Sequence, residues 1–127
     1  MTSTMRTRIT THRDLVVWQK AIVLAETIYK TTVALPNEER FGLALQLRRA
    51  VVSVASNIAE GSARHHRLEF VQFLYIARGS LAELETQLYI ARQQSYIRDD
   101  ESLFAAIQEV GRLLTGLIRS LRKRDSK

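Results

Sequence analysis

The residues of this sequence that could do chemistry are mainly basic, and they fall into three clusters. These candidate phosphate-binding residues are Arg48, Arg49, Arg64, Arg67, Arg119, Arg122, Lys123 and Arg124. Arginine and lysine neutralise phosphates, and arginine can donate two parallel hydrogen bonds to them. Each cluster alone is typical of a solvated helix end, where cations are favourable near the C-terminus. Together they predict a surface that binds DNA or RNA without reading its sequence.

The distribution of charge supports the same interpretation. The net charge is +6, but residues 14–116 hold 11 basic and 12 acidic side chains. Residues 1–13 carry +3 and residues 117–127 carry +4. The basic surplus therefore lies at the two ends of the chain, which we expect to be flexible tails at 1–13 and 122–127.

Other kinds of chemistry have little support. The chain has no cysteine, which excludes disulfides and thiolate catalysis. Among the histidines, only His66 has a metal-ligand spacing, to Glu69, and two exposed loop histidines are the simpler interpretation. A phosphate loop, a nucleophile elbow and a paired inward carboxylate are missing from the sequence. We therefore expect a protein that is not an enzyme and needs no cofactor or metal.

No stretch approaches the roughly 20 apolar residues of a membrane span, and the N-terminus lacks the apolar segment of a secretory signal. A cytoplasmic protein with no membrane partner is the expectation.

Four stretches have the apolar periodicity of amphipathic helices, at 14–35, 38–61, 67–94 and from Asp99 or Asp100 to beyond 117. Asp14 is expected to cap the first helix and Gly61 to stop the second. The third carries the strongest core row, spaced four and three: Phe70, Leu74, Ala77, Leu81, Leu84, Leu88 and Ala91. Gly79 lies in the middle of the third helix, where glycine costs about 1 kcal/mol of helix stability relative to alanine. We therefore expect it to allow close packing against a neighbour.

Polar residues of the second helix form a row that is either solvent surface or a seam against another helix. The row consists of Gln46, Arg49, Ser53, Ser56 and Glu60.

Short connections between long helices predict an all-α, antiparallel up-down-up-down four-helix bundle, with 1–127 as a single domain. The first three helices each carry a second apolar row, which one bundle core does not need. We therefore expect a homo-oligomer, although a wide apolar stripe in a monomer would give the same pattern. The candidate interface residues are Trp18, Val52, Tyr75 and Tyr89.

Five segments carry a family resemblance that covers about residues 12–98. They read WQKA from Trp18, RFGL from Arg40, QLRRA from Gln46, SNIAEG from Ser56 and GSLAELETQL from Gly79. As a set they resemble a bacterial four-helix-bundle family, which includes the proteins encoded in intervening sequences of 23S ribosomal RNA genes. The accessory variability protein of diversity-generating retroelements belongs to the same group. One departure is Ala55, where the family usually has proline, so a kink expected in the second helix could be absent.

The resemblance implies a cyclic homopentamer, a basic surface that binds DNA or RNA, a reverse-transcriptase partner in retroelements, and no enzyme activity. We therefore expect a non-enzymatic, oligomeric bundle that binds nucleic acid. The alternative is a protein-binding scaffold with no nucleic-acid role.

Overall fold

The fold is that of a computed structural model, which describes residues 11–98 and 101–125, with side chains as far as Lys123. In this part of the chain the structure is all-α, and no strand is present. Its four α-helices are α1 (Val16–Val33), α2 (Leu43–Ser62), α3 (Arg67–Gln93) and α4 (Glu101–Asp125). Two one-turn 3-10 helices span His12–Asp14 and Asn37–Glu39. The predicted number and type of elements are confirmed.

Each α-helix packs against two others, so that the four share one apolar core. α2 lies between α1 and α3, and α4 packs against both α3 and α1. The largest fully buried side chains come from all four helices and include Leu24, Ile28, Leu47, Ile58, Leu74, Leu84, Leu88 and Leu114. This arrangement is consistent with a four-helix bundle.

The core rows follow the apolar periodicity of the sequence. In α3 six of the seven residues of the predicted row are buried, and Phe70 packs partly buried against the core. In α1 the row from Val17 to Ile28 is buried, whereas Ile22 and Tyr29 of the neighbouring row are each 42% exposed. The first row of α1 therefore fills the core. The neighbouring row is only partly covered, since Trp18 and Ala25 pack against the core while Ile22 and Tyr29 are exposed.

The start of α1 differs from the prediction that Asp14 caps it. Thr11 begins a 3-10 turn, in which its hydroxyl accepts from Arg13 N at 3.2 Å. Asp14 reaches back, and its carboxylate accepts from Thr11 N at 3.2 Å. Asp14 therefore closes a capping box on the preceding turn, and α1 begins two residues later.

Glu39 fixes the start of α2, which lies further along the chain than predicted because a 3-10 turn occupies Asn37–Glu39. Its Oε1 accepts from Leu43 N at 3.0 Å, and its Oε2 accepts from the Tyr96 hydroxyl at 3.1 Å. The hydrogen bond to the carboxylate raises the pKa of Tyr96 above its usual value. Glu39 thus joins the N-terminus of α2 to the segment after α3.

Gly61 and Gly79 play roles opposite to those expected from the sequence. Gly61 does not stop α2, which continues to Ser62, and Gly61 has no left-handed backbone. A Cβ on Gly61 would lie 2.6 Å from Phe73 Cβ and 2.9 Å from Phe70 Cδ1, so the glycine allows α2 and α3 to approach closely. A Cβ on Gly79 would meet nothing within 4 Å. The expected close neighbour of Gly79 is therefore not found among the described residues.

The polar row of α2 is mostly solvent surface and touches α3 at one point. Gln46, Arg49, Ser56 and Glu60 are exposed. Ser53 instead lies 2.7 Å from Ser80, hydroxyl to hydroxyl, and Asn57 Nδ2 donates to the carbonyl of Ser53 at 2.8 Å.

Several predicted features lie partly or wholly outside the described residues. Asp99 and Asp100, the predicted caps of the last helix, are among them. Of the predicted tails, residues 11–13 belong to the first 3-10 turn and its cap, and residues 122–125 belong to α4. α2 is continuous through Ala55. In the part of the chain searched, no helix has both the length and the apolar character to cross a membrane.

The close approach at Gly61 can be tested by paired substitutions. We expect Gly61→Ala to destabilise the fold by about 1–3 kcal/mol, because the methyl group overpacks the contact with Phe70 and Phe73. Gly79→Ala should instead stabilise it by up to about 1 kcal/mol, through helix propensity alone. Urea unfolding of both variants measures the difference. Equal effects of the two substitutions would contradict the assigned contact.

The bond between Glu39 and Tyr96 predicts a pH effect. Because the carboxylate raises the pKa of Tyr96, the bond stabilises the fold below the usual tyrosine pKa of about 10. Its contribution is lost as the pH rises through the raised value. Glu39→Gln should lower the pKa of Tyr96. This pKa can be measured from the NMR shift of the ring carbon that bears the hydroxyl as the pH is raised. Glu38→Gln, the control, removes a nearby charge without the hydrogen bond and should lower it less.

Candidate nucleic-acid interface

A basic groove runs along the surface between α3 and α4. It consists of two adjoining hollows of about 510 and 630 Å³, both lined by Arg78, Thr115 and Arg119. The cations that line one or both hollows are Arg78, Arg112, Arg119, Arg122 and Lys123. We call these five residues and the surface between them the basic groove. Among the residues whose side chains are described, no aspartate or glutamate lines either hollow.

Tyr75 and Thr115 hold two arginines of the basic groove in place. Arg122 Nη1 donates to the Tyr75 hydroxyl at 2.7 Å. The Arg78 guanidinium lies 5.0 Å from the centre of the same ring, and its Nη1 donates to Thr115 Oγ1 at 3.3 Å. These contacts join α3 to α4 and fix the distance between the two positive charges.

The spacing of residues on α4 explains why its cations share one face. Arg112, Thr115, Arg119 and Arg122 follow one another at intervals of three, four and three, which is the spacing of one side of an α-helix. Gly116 lines the groove between them, and a Cβ added there would meet nothing within 4 Å. A helix built this way presents its charges beside an open hollow.

Four arginines of the groove keep their positive charge uncompensated by an ion pair within the described structure. Arg78, Arg112, Arg119 and Arg122 form no ion pair with any described residue. An anion placed among these four cations would be attracted by several of them at once.

Arginines of the described chain, inside and outside the groove, are placed against aromatic rings. The contacts, with distances of 4.7–5.2 Å, are Arg40 on Phe41, Arg48 on Tyr29, Arg64 on Phe73, Arg78 on Tyr75, and Arg92 on both Tyr89 and Phe104. Proteins have significant contacts of this kind about once per 70–80 residues, so the density here is several-fold higher. A ring holds a guanidinium in place without cancelling its charge.

The structure brings only part of the predicted basic residues together. Arg119, Arg122 and Lys123 line the groove, while the side chain of Arg124 lies outside the described residues. Arg64 is at the other side of α3, where it pairs with Glu60 at 2.9 Å. Arg67 is exposed at the start of α3 and does not line the groove.

Arg48 and Arg49 were predicted as one cluster, but their side chains have different surroundings. Arg49 is exposed. Arg48 is half-buried, and its Nε donates to Thr32 Oγ1 at 2.8 Å. Consecutive residues point about 100° apart on a helix, so adjacency in sequence did not make them neighbours on one surface.

Two groove residues, Arg78 and Arg112, were missed by the sequence analysis. Arg112 could have been found from its spacing to Arg119 and Arg122 on α4. Arg78 has no such signal, because its position depends on how α3 packs against α4, where its partner Thr115 is 37 positions away in the sequence. No described group of three or more His, Asp or Glu side chains is arranged to hold a metal ion.

The candidate interface residues lie in different surroundings. Trp18 is half-buried against His12, with ring centroids 4.9 Å apart. Val52 is 43% exposed on α2. Tyr89 stacks on Phe104 at 4.7 Å, and Tyr75 belongs to the groove wall.

Exposed large apolar side chains occur on α1, α2 and α3 and before α2, and none is on the described part of α4. They are Val16, Ile22, Val23, Tyr29, Val33, Phe41, Val52, Leu68, Ile76, Tyr89 and Ile90.

Comparison with known proteins decides the family. The sequence profile of the 23S rRNA-intervening sequence protein family matches residues 13–116. The chain belongs to this family. No curated protein matches it.

A solved structure of similar fold is that of a protein with unknown function from the S23 ribosomal protein family, from Bacteroides thetaiotaomicron VPI-5482, at 1.70 Å resolution. The two sequences are 29% identical and the TM-score is 0.76. The match covers 82% of this chain and 96% of that one. The family assignment confirms the resemblance identified in the sequence, and the likeness extends over nearly the whole of the solved protein.

Proposed function

We propose that this member of the 23S rRNA-intervening sequence protein family binds DNA or RNA without sequence preference, through the basic groove between α3 and α4. The observation that carries the proposal is a groove lined by five cations and by no carboxylate of the described residues. Binding of this kind gains free energy from release of the counterions condensed on the nucleic acid. It requires no catalytic step.

The dimensions of the groove suit a run of phosphates. Arg112 and Arg122 are ten residues apart on α4, which is about 15 Å along a helix axis. Because successive phosphates of a strand are separated by more than the axial rise of about 3.4 Å, this length suits a short run of them. Contacts to phosphates position a protein on nucleic acid and carry no sequence information. Non-specific binding follows from this kind of contact.

We also propose the up-down-up-down order for the four helices. Residues near the end of α2 contact residues near the start of α3, as Gly61 does with Phe70. Tyr75, early in α3, contacts Arg122, late in α4, and Tyr89, late in α3, contacts Phe104, early in α4. These pairs support antiparallel neighbours.

The exposed apolar side chains of α1, α2 and α3 support assembly of several copies of the chain, for which the resemblance implies a pentamer. Burial of apolar surface between copies would drive the assembly. Five copies at +6 each would carry +30 and would present five grooves to one nucleic acid, which strengthens binding through multivalency. The same apolar surface supports the alternative function, a scaffold that binds proteins.

The salt dependence of binding tests the groove. We expect the double variant Arg112→Gln and Arg119→Gln to lose two phosphate contacts, so the slope of log affinity against log salt should fall by about 1.8 for duplex DNA. Fluorescence anisotropy with a mixed-sequence duplex at several salt concentrations measures the slope. The control is Arg13→Gln with Arg98→Gln, which removes the same charge from exposed positions outside the groove.

The control variant should keep the slope of the original protein. Equal loss in both double variants would show that net charge, and not the groove, determines binding. If the unaltered protein failed to bind at low salt, the nucleic-acid function would be wrong and the scaffold would remain.

The mass in solution tests the assembly. We expect sedimentation equilibrium to give a multiple of the 14.5 kDa chain mass. Ile76→Asp, which places a charge on the exposed apolar face of α3, should lower that mass. Ala105→Asp, on the exposed face of α4, should not. A single-chain mass for the unaltered protein would contradict the proposed assembly.

A further inference from the structure

A second concave site lies where α1 gives way to α2, away from the basic groove. It is a cavity of about 210 Å³ that shares no lining residue with the groove. Its polar lining comes from Thr32, Asn37, Arg40 and Arg48, and no carboxylate from the described part of the chain lines it. Two arginines in so small a space, without an acidic partner, form an anion-attracting cavity.

Arg48 is held firmly in this cavity. Thr32, only 5% exposed, accepts from Arg48 Nε at 2.8 Å, and its own hydroxyl donates to the carbonyl of Tyr29 at 2.8 Å. The guanidinium also lies 4.8 Å from the centre of the Tyr29 ring. These contacts use Nε and one face of the guanidinium, so the two terminal nitrogens remain as donors.

The nearby carboxylates do not neutralise the cavity. Arg40 and Arg48 form no ion pair with the described residues. Glu39 directs its two oxygens to Leu43 N and to the Tyr96 hydroxyl. Glu38 is exposed and does not line the cavity. Both arginines therefore keep their charge for a ligand, although these two acids lower the potential nearby.

We propose that this cavity binds a phosphate group, with the guanidinium groups of Arg40 and Arg48 and the amide of Asn37 as donors. Planar guanidinium forks match the oxygens of phosphate. A volume of 210 Å³ equals about seven waters at roughly 30 Å³ each, which is room for a tetrahedral oxyanion and a few waters. The phosphate group can belong to inorganic phosphate, to a nucleotide or to the end of a nucleic acid.

Titration of the full chain with inorganic phosphate at constant ionic strength tests the site. The NMR signals of the arginine Nε–H groups report binding. Substitution of Arg48→Lys identifies the Arg48 signal. We expect that signal to shift and to saturate. Arg40→Gln should weaken phosphate binding by about tenfold or more, the effect of one lost charge-assisted hydrogen bond. Arg40 is exposed, and its guanidinium lies against the ring of the neighbouring Phe41. The fold should therefore survive the substitution, which thermal unfolding checks.

Arg49→Gln is the matched control, because it removes the same charge from an exposed position beside Arg48 in sequence. It should leave phosphate affinity unchanged. A linear shift without saturation, or equal weakening by Arg40→Gln and Arg49→Gln, would overturn the proposal. Acetate that bound as tightly as phosphate would overturn the assignment to a phosphate group.

Further ligands distinguish the source of the phosphate. Tighter binding of adenosine 5′-monophosphate than of inorganic phosphate would support a nucleotide. Tighter binding of a 5′-phosphorylated oligonucleotide than of the same oligonucleotide without phosphate would support a nucleic-acid end. The groove variant Arg112→Gln with Arg119→Gln should keep phosphate binding at the cavity, so this proposal and the groove proposal can fail independently.

Discussion

The close contact of α2 with α3 at Gly61 is the constraint on which the rest of the structure depends. The backbone of Gly61 lies where any side chain would collide with Phe73 and Phe70, so the two helices approach more closely here than larger residues allow. Further along the same pair of helices, the hydroxyls of Ser53 and Ser80 meet at 2.7 Å. These two contacts fix the register of α2 and α3. Once that register is set, the Tyr75 and Arg78 side of α3 is left to face α4, and the groove forms there.

The arginines of this protein illustrate how local arrangement can outweigh net charge. Residues 14–116 are almost neutral in sum, yet two of their arginines, Arg78 and Arg112, join three cations of the basic stretch 117–127 in a groove that no described carboxylate lines. Aromatic rings contact Arg48 and Arg78 and hydroxyl groups accept their hydrogen bonds, so each guanidinium is positioned by groups that leave its charge intact. A carboxylate in the same place would fix the side chain equally well but would cancel its attraction for phosphate.

Periodicity in the sequence was sufficient to predict the four helices and most of the core, because burial of one side of a helix leaves a regular apolar row. The glycines could not be interpreted in the same way. Whether Gly61 ends a helix or allows a close approach depends on the residues opposite it, and these are on another helix. The same limit applied to the site: Arg119 and Arg122 were found from the sequence, whereas Arg78 joins them only through the packing of α3 on α4. Arg48 and Arg49 are adjacent in sequence, but consecutive side chains of a helix point in different directions, so the two arginines lie in different surroundings.

The two kinds of surface are divided among the helices in a way that makes the proposed assembly and the proposed binding compatible. Large exposed apolar side chains occur on α1, α2 and α3, and the described part of α4 has none. α4 provides four of the five cations of the basic groove. Copies that bury apolar surface through the first three helices would therefore leave α4 in contact with water. The groove would stay accessible in such an assembly, and the mutual repulsion of its cations would favour placing the grooves apart on the outside.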